Sequence, residues 1–287
     1  MANSKDVFKA FVQSIRLNED PEEIKCIAHL VFEKYLGCSK TDIAANNKID
    51  KYEVKYKDLK KIAERINAHE PIQYILQEAD FYGRSFFVNK DVLIPRPETE
   101  ELVQHVIDCC KKARKKKVSV LDIGTGSGCI PITIKLALPD AQLSATDVSE
   151  AALMVAAENS LRHSVQINWQ HHNILKQSLP GDEFDVIVSN PPYITEAEKT
   201  DIKLNVLYYE PSLALFVPTK QALMFYEAIG KKALKALKPG GKLFLEINEK
   251  LGAETQSLLK DFGYRTELIK DLQGKDRIII ASKRKSS

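Results

Sequence analysis

The 287-residue sequence predicts an α/β fold: a seven-stranded, mostly parallel sheet with an antiparallel last strand pair, preceded by a small helical N-terminal domain and a β-hairpin linker. Three observations lead there. From residue 118 onward, short and nearly continuous apolar runs alternate with helical periodicity, the pattern of strands covered on both faces. The first of those runs, "VSVLDIG", passes straight into a glycine-rich turn, as a strand feeding a helix does. Before residue 71, by contrast, apolar residues recur only at three- and four-residue spacing.

Residues 1–71 read as the helical domain. Val7, Phe11 and Ile15 share a stripe, with Phe8 and Val12 beside it. Asp20 before Pro21 and two glutamates marks a helix start; Ile24, Ile27, Val31 and Tyr35 continue at helical spacing, and Gly37 stops the run. A third helix starts near Thr41. A fourth carries Val54, Leu59, Ile62 and Ile66 towards Pro71. Over 72–95 the pattern changes to aromatic and β-branched runs broken at Gly83-Arg84, which predicts the hairpin linker.

Residues 96–287 form the third segment. A helix begins at Pro97, with glutamates in its first turn and lysines in its last, matching the helix dipole. "VSVLDIG" is then a strand, 128–137 a helix, "QLSATD" a strand, 149–161 a helix, and "VQINWQ" and "FDVIVSN" strands. A helix over 221–237, a turn at "KPGG", the strand "KLFLEI" and a helix near 250–261 follow. The closing strands "YRTELI" and "DRIIIAS" are joined by too short a link for a parallel crossover, so that pair is expected to be antiparallel.

Composition narrows the functional classes. With 44% hydrophobic and 28% charged residues the chain can bury a real core, and its net charge of +3 is too small to announce a polyanion binder. The basic runs "KKARKKK" at 111–117 and "KRKSS" at the end read as a solvated helix terminus and a frayed tail, with an acidic or RNA-associated partner as the alternative. Five cysteines match no zinc or disulfide spacing and are read as reduced thiols. No window reaches the ~18 apolar residues of a membrane span. The expectation is a cytoplasmic monomer with no membrane association and no direct sequence-specific nucleic-acid binding.

Three strand ends carry the chemistry. Gly124, Thr125, Gly126, Ser127 and Gly128 make a strand-to-helix turn at which a ligand can approach the main chain. The third glycine of a dinucleotide fingerprint would stand at Cys129, so a pyrophosphate is disfavoured. Asp147, at the end of the second strand, lies where a carboxylate meets ribose hydroxyls in this topology; an adenosine without pyrophosphate fits. The strand "FDVIVS" ends in Asn190-Pro191-Pro192-Tyr193. Prolines remove the N–H groups that would pair neighbouring carbonyls, leaving the Asn190 amide oxygen and the main chain as fixed acceptors, with the Tyr193 ring as a flat wall. Acceptors converging on one point suit an –NH2 group, and holding both its hydrogens positions the nitrogen lone pair for attack on an electrophilic carbon.

At these residues the chain resembles the class I S-adenosylmethionine-dependent methyltransferases that act on amino nitrogens. "PIQYILQEADFYG", "LIPRPETEEL", "YYEPSLAL", "LKPGGKLFLEI" and "DLQGKDR" resemble the peptide chain release factor glutamine N5-methyltransferases, over about residues 71 to 282. The resemblance implies a Rossmann-like methyltransferase sheet and a substrate glutamine in the Gly-Gly-Gln motif of class 1 release factors. It implies Asn190, Pro191 and Tyr193 as the catalytic set, the same three with Pro192 as the substrate-binding set, and Asn190 also beside the cofactor. The turn from Gly124 to Gly128 would hold the methionine end of S-adenosylmethionine, which leaves as S-adenosylhomocysteine. Asp147 would hold the ribose, Asn173 and Ile174 the adenine, and Arg96 and Thr99 would lie beside the cofactor. Three departures stand out: Asn173 replaces an aspartate, "FVPTKQAL" replaces a glycine-rich segment, and Asn248 replaces a glycine; none is expected to touch the transfer site. Adenine-N6 methylation of DNA or RNA, glutamine methylation of a ribosomal protein, and a non-catalytic cofactor-binding module are the alternatives. His171 and His172 lack a third ligand at metal spacing, so no metal is assigned, and Trp169 is read as packing.

Overall fold

The computed structural model describes residues 2–49, 56–112 and 117–284. It divides into two compact units, Met1–Glu78 with Lys203–Tyr209, and Ala79–Ile202 with Glu210–Ser287.

In the first unit, β1 (Ala2–Asn3) pairs antiparallel with β2 (Lys48–Ile49), and the helices are α1 (Ser4–Ser14), α2 (Pro21–Leu36), α3 (Lys40–Ala44), α4 (Tyr56–Asn67) and α5 (Ile72–Leu76). Local chemistry sets their ends. Asp20 accepts from the Glu22 N–H and Gly37 closes α2 in the left-handed region, while Ser39 and Asp42 cap α3 reciprocally. Val7, Phe11, Ile15, Leu59, Ile62 and Ile66 are all buried in one cluster, as their spacing predicts; Val54 lies outside the described residues. The α2 stripe is offset from the expected one. Ala28, Val31 and Phe32 are fully buried, Ile24 and Ile27 only half-buried, and Tyr35 is 44% exposed. Its hydroxyl instead donates to the Ile75 carbonyl at 3.2 Å. The helix α9 (Leu204–Tyr209) also belongs here, the Tyr209 hydroxyl donating to the Ala68 carbonyl at 2.7 Å.

The second unit opens with a hairpin shorter than the 72–95 linker expected. Residues 72–76 are the helix α5, and only β3 (Ala79–Phe81) and β4 (Arg84–Phe86) pair. The turn falls on Tyr82-Gly83, both at positive φ (53° and 69°), the two-residue form whose twist matches the strands. The helix α6 (Pro97–Lys112) follows as predicted; of the basic run, residues 113–116 lie outside the described residues, as do 285–287 of the tail.

The main sheet has seven strands in the order β12-β13-β11-β8-β5-β6-β7. These are β5 (Ser119–Ile123), β6 (Gln142–Asp147), β7 (Asn168–His171), β8 (Phe184–Ser189), β11 (Leu237–Glu246), β12 (Arg265–Lys270) and β13 (Asp276–Ser282). All neighbours are parallel except β13, which runs antiparallel to both β11 and β12. The connecting helices are α7 (Cys129–Ala137), α8 (Glu150–Arg162), α11 (Met224–Ala236) and α12 (Gly252–Asp261). A small parallel pair, β9 (Ile194–Thr195) and β10 (Phe216–Val217), and the short helix α10 (Ser212–Leu215) complete the unit. "KPGG" is not a turn outside the strand. It lies within β11 as an irregularity between Leu237 and Lys242, where Gly240 at φ 79° lets the chain bulge while the ladder to β8 resumes. Successive β5 side chains face opposite ways: Val120 joins the cluster under α6 and α7, Leu121 and Ile123 the cluster under α11. Both sheet faces are therefore covered, and ligands are confined to the strand ends. The sequence runs outward from β5 through β6 to β7, then returns to β8 on the other side of β5, so the crevice opens at the carboxyl ends of β8, β5 and β6.

Candidate active site

The carboxyl ends of β5, β6, β7 and β8 border a cleft of about 190 Å³, closed on the remaining sides by 91–93, Pro211, Leu213, Ala214, Phe225 and Ile229. Of the residues the sequence singled out, Gly124, Gly126, Asp147, Asn173, Ile174, Asn190, Pro191 and Pro192 line it. Thr125, Ser127, Gly128, Arg96, Thr99 and Tyr193 do not.

The three turn glycines do different work. All have positive φ, but a Cβ on Gly124 or Gly126 would meet nothing within 4 Å, whereas one on Gly128 would sit 3.0 Å from the Ala156 Cβ and 3.1 Å from Trp169. Gly128 thus lets α7 approach α8, and Trp169 is a packing residue. Gly124 and Gly126 leave open space at the cleft wall. The turn is held from below by the Gly124 and Thr125 N–H groups donating to the Thr146 carbonyl (2.8 and 3.0 Å) and by Asn159, fully buried on α8, donating to the Ser127 carbonyl at 2.9 Å.

Asp147 accepts from Gly126 N–H on Oδ2 and from Ser149 N–H on Oδ1, both at 2.9 Å. One bond to each oxygen leaves further lone pairs, enough for two hydroxyl donors. Burial raises its carboxyl above the ordinary range; the Ser149, Gly126 and Val148 N–H groups and the nearby His171 pull it back. Behind it, Asp122 is wholly buried, with no hydrogen-bond partner for either oxygen among the described residues. Burial lifts its carboxyl to about 7, with the nearby Thr125 hydroxyl opposing and the Asp147 charge adding.

At the β7 end, Asn173 Oδ1 accepts from Leu175 N–H at 2.9 Å, so its amide nitrogen is the group left to donate. His171 and His172 each bind a main-chain carbonyl, that of Val148 (2.9 Å) and that of Ser178 (2.7 Å). A carbonyl only accepts, so in each ring Nε2 carries the proton.

At the β8 end, Asn190 Nδ2 donates to Thr99 Oγ1 at 3.1 Å. Thr99 Oγ1 in turn donates to Glu246 Oε2 at 2.7 Å, and the Tyr193 hydroxyl donates to Glu246 Oε1 at 3.2 Å. The Tyr193 phenol is pushed above its ordinary range by burial and by the Glu246 charge. Among the described residues no N–H donates to the Pro191 carbonyl. The expectation that Asn248 stands clear of this site is corrected: its amide nitrogen donates to the Tyr193 carbonyl at 3.2 Å and to Glu198 at 3.3 Å. A side chain at the β11 end, next to the motif in space though not in sequence, braces the turn.

Sequence reasoning also missed two buried carboxylates. Glu210 accepts from Arg96 at 2.5 Å and from Ile94 N–H at 3.1 Å, tying together the chain segments next to 91–93 and Pro211, which both line the cleft. Glu246 lies under both ends of the Asn-Pro-Pro-Tyr turn. The available signal was an acid inside an otherwise apolar strand, "KLFLEI". Among the described residues no helix is long and apolar enough to cross a membrane, and all five cysteines are free.

The comparisons with known proteins fit this architecture. Residues 99–209 match the family model "Methyltransferase small domain", and residues 12–76 match "PrmC N-terminal domain". A crystal structure of a methyltransferase from Pyrococcus furiosus superimposes with a TM-score of 0.53 at 21% identity, covering 78% of this chain and 98% of that one. Sheet, glycine turn and Asn-Pro-Pro-Tyr strand end thus define a methyltransferase of the Rossmann-like class. Release factor glutamine methyltransferases from Bacteroides thetaiotaomicron and Flavobacterium psychrophilum are 42% and 41% identical, each over 94% of this chain and 97% and 95% of theirs. The chain belongs to the release factor glutamine methyltransferase family.

Proposed function

We propose that this protein transfers a methyl group from S-adenosylmethionine to the side-chain amide nitrogen (N5) of the glutamine in the Gly-Gly-Gln motif of class 1 peptide chain release factors. The observation that carries this is the Asn190 amide: its nitrogen is committed to Thr99, which leaves its oxygen as the acceptor in a cleft also lined by Gly124, Gly126 and Asp147.

The cleft residues fit the cofactor. The open space at Gly124 and Gly126 suits a backbone-close ligand, and the free lone pairs of Asp147 suit ribose hydroxyls. We assign the turn from Gly124 to Gly128 to the methionine end, Asp147 to the ribose, and Asn173 with Ile174 to the adenine. When bound, S-adenosylmethionine supplies an electrophilic sulfonium methyl. Asn190 Oδ1 and the Pro191 carbonyl hold the glutamine –NH2, Pro192 stiffens the turn and Tyr193 packs beside the amide. Holding both hydrogens turns the nitrogen lone pair out of amide conjugation, and the two carbonyl dipoles stabilise the positive charge that develops on nitrogen. The N-protonated amide is acidic enough to pass its proton to water, so no side-chain base is needed. Thr99 and Arg96 act from behind the cleft, through Asn190 and Glu210. Residues 1–71 are assigned to docking the factor and 72–95 to linking, and the enzyme to the cytoplasm as a monomer.

The test offers purified protein and radiolabelled S-adenosylmethionine a release factor, the same factor with the Gly-Gly-Gln glutamine replaced, and duplex DNA. Label is expected in the first alone. Label in DNA but not in the factor overturns the substrate assignment.

A further inference from the structure

Glu246 closes β11 after three fully buried apolar residues, and is itself 1% exposed. It does not line the cleft, yet it touches both polar side chains of the Asn-Pro-Pro-Tyr turn, Tyr193 directly and Asn190 through Thr99. A hydroxyl has one proton. While Thr99 gives that proton to a carboxylate it can only accept from Asn190, so Asn190 must present its NH2 inward and its oxygen to the cleft.

We propose that ionised Glu246, acting through the Thr99 hydroxyl, is the positioning residue that fixes which way the Asn190 amide faces and thereby switches the enzyme on. This rests on the reading of Asn190 as the acceptor for the substrate amide. Protonated, Glu246 brings a proton that Thr99 can accept. The Thr99 proton then turns toward Asn190, whose oxygen must receive it, and the Asn190 NH2 is left facing the substrate NH2. Two donors opposed cannot bind.

The surroundings place this change near neutrality. Burial is the largest influence and raises the Glu246 carboxyl to about 7; the Thr99 hydroxyl, the Arg277 guanidinium and the Tyr193 hydroxyl lower it, and the Glu98 charge raises it. Those groups come from α6, from the turn after β8 and from β13. Arg277 is shared with Asp271 at 3.0 Å and Glu249 at 3.5 Å, so its charge is not devoted to Glu246.

The experiment measures kcat against pH, with saturating release factor and S-adenosylmethionine, for the wild type, Glu246→Gln, Thr99→Val and Thr99→Ser. Wild type and Thr99→Ser, which keeps the relay, are expected to lose kcat as pH falls through about 7. Glu246→Gln has no proton to gain there and is expected to be flat. Thr99→Val keeps the shape of the side chain but severs the relay, so its profile is flat as well and its kcat is lower by about tenfold or more, the scale set by misplacing one catalytic contact. Cofactor affinity within about threefold of wild type, since the altered side chains do not line the cleft, checks that each variant is folded. An unchanged acid limb in Glu246→Gln or in Thr99→Val overturns the proposal, even if all four proteins methylate the factor. A wild type that leaves the factor unlabelled instead sinks the substrate reading beneath it.

Discussion

The two ends of the cleft are built by different means. At the β5–β6 end the ligand-facing surface is main chain: two glycines in the left-handed region, N–H groups tied to Thr146, and one carboxylate anchored by Gly126 and Ser149. At the β8 end it is the Asn190 side chain with Pro191 and Pro192, held from behind the cleft by a chain of side chains, Thr99 to Glu246 to Tyr193. A surface of backbone tolerates changes in distant side chains. A surface made by relay depends on every member. Binding and turnover are therefore expected to separate between the two ends.

The largest effect should come from cutting the relay at its exposed tip. Asn190→Ala removes an acceptor aimed at the substrate nitrogen, on which positive charge develops in the transition state, an effect on the order of 10²–10³-fold in rate. Single-turnover kinetics should show that loss while calorimetry finds cofactor affinity within a few fold. A comparable loss of affinity would mean that the ends are not separate. The converse test is Asp147→Ala. Two hydrogen bonds to a charged group, each worth roughly 1.5–3 kcal/mol, predict a Kd for S-adenosylmethionine weaker by about 100-fold or more, with kcat at saturation little changed.

The same contrast explains what the sequence disclosed. The glycine turn is local: strand, glycines and helix are contiguous, and Asp147 follows at a spacing fixed by one crossover, so residues 118–150 could be read almost to the residue. The Asn-Pro-Pro-Tyr turn was legible too, because proline leaves few conformations. Its supports were not. Thr99 reads as a helix-start residue and Glu246 as a charged residue in a strand, and only the packing of α6 on β11 brings them together. Asn248 failed for a related reason, the β8–β11 register: three positions beyond Leu245, which pairs with Ser189, it lands against Tyr193. In the first unit, the ends of α2 followed from Asp20 and Gly37. The buried face of α2 was read correctly at Val31 and missed at Ala28, which contributes little to a hydrophobic pattern yet allows close approach.

Within the glycine turn the comparison sharpens further. Gly126→Ala adds a methyl facing open cleft in a left-handed conformation that costs an L-residue roughly 1–2 kcal/mol. Part of that is recovered by relaxation when the ligand is absent, so the variant should fold and bind the cofactor several-fold more weakly. Gly128→Ala bears the same conformational cost and also drives a methyl into Ala156 and Trp169, an overpacking of about 1–3 kcal/mol. Its signature should be a lower Tm. If Gly126→Ala lowers Tm more than Gly128→Ala does, the division into a ligand-facing and a packing glycine is wrong.

The smallest effect concerns the stability cost of keeping a carboxylate under the relay. Asp122 and Glu246 both have folded-state carboxyls raised to about 7 by burial, against ordinary values near 4. Between those limits the folded chain holds protons that the unfolded chain has released. Stability from these groups is therefore fully present below about pH 4, falls as pH rises, and levels off above about 7. Other carboxylates, such as Asp42, held low by the Ser39 hydroxyl and N–H, act in the opposite sense, so the diagnostic is a difference between proteins. Urea titrations at pH 5 and pH 8 should show Glu246→Gln losing less stability across that interval than the wild type, by on the order of 1 kcal/mol. Equal losses would show that Glu246 does not ionise in this range, and the tension between a stable core and an ionised relay would vanish with it.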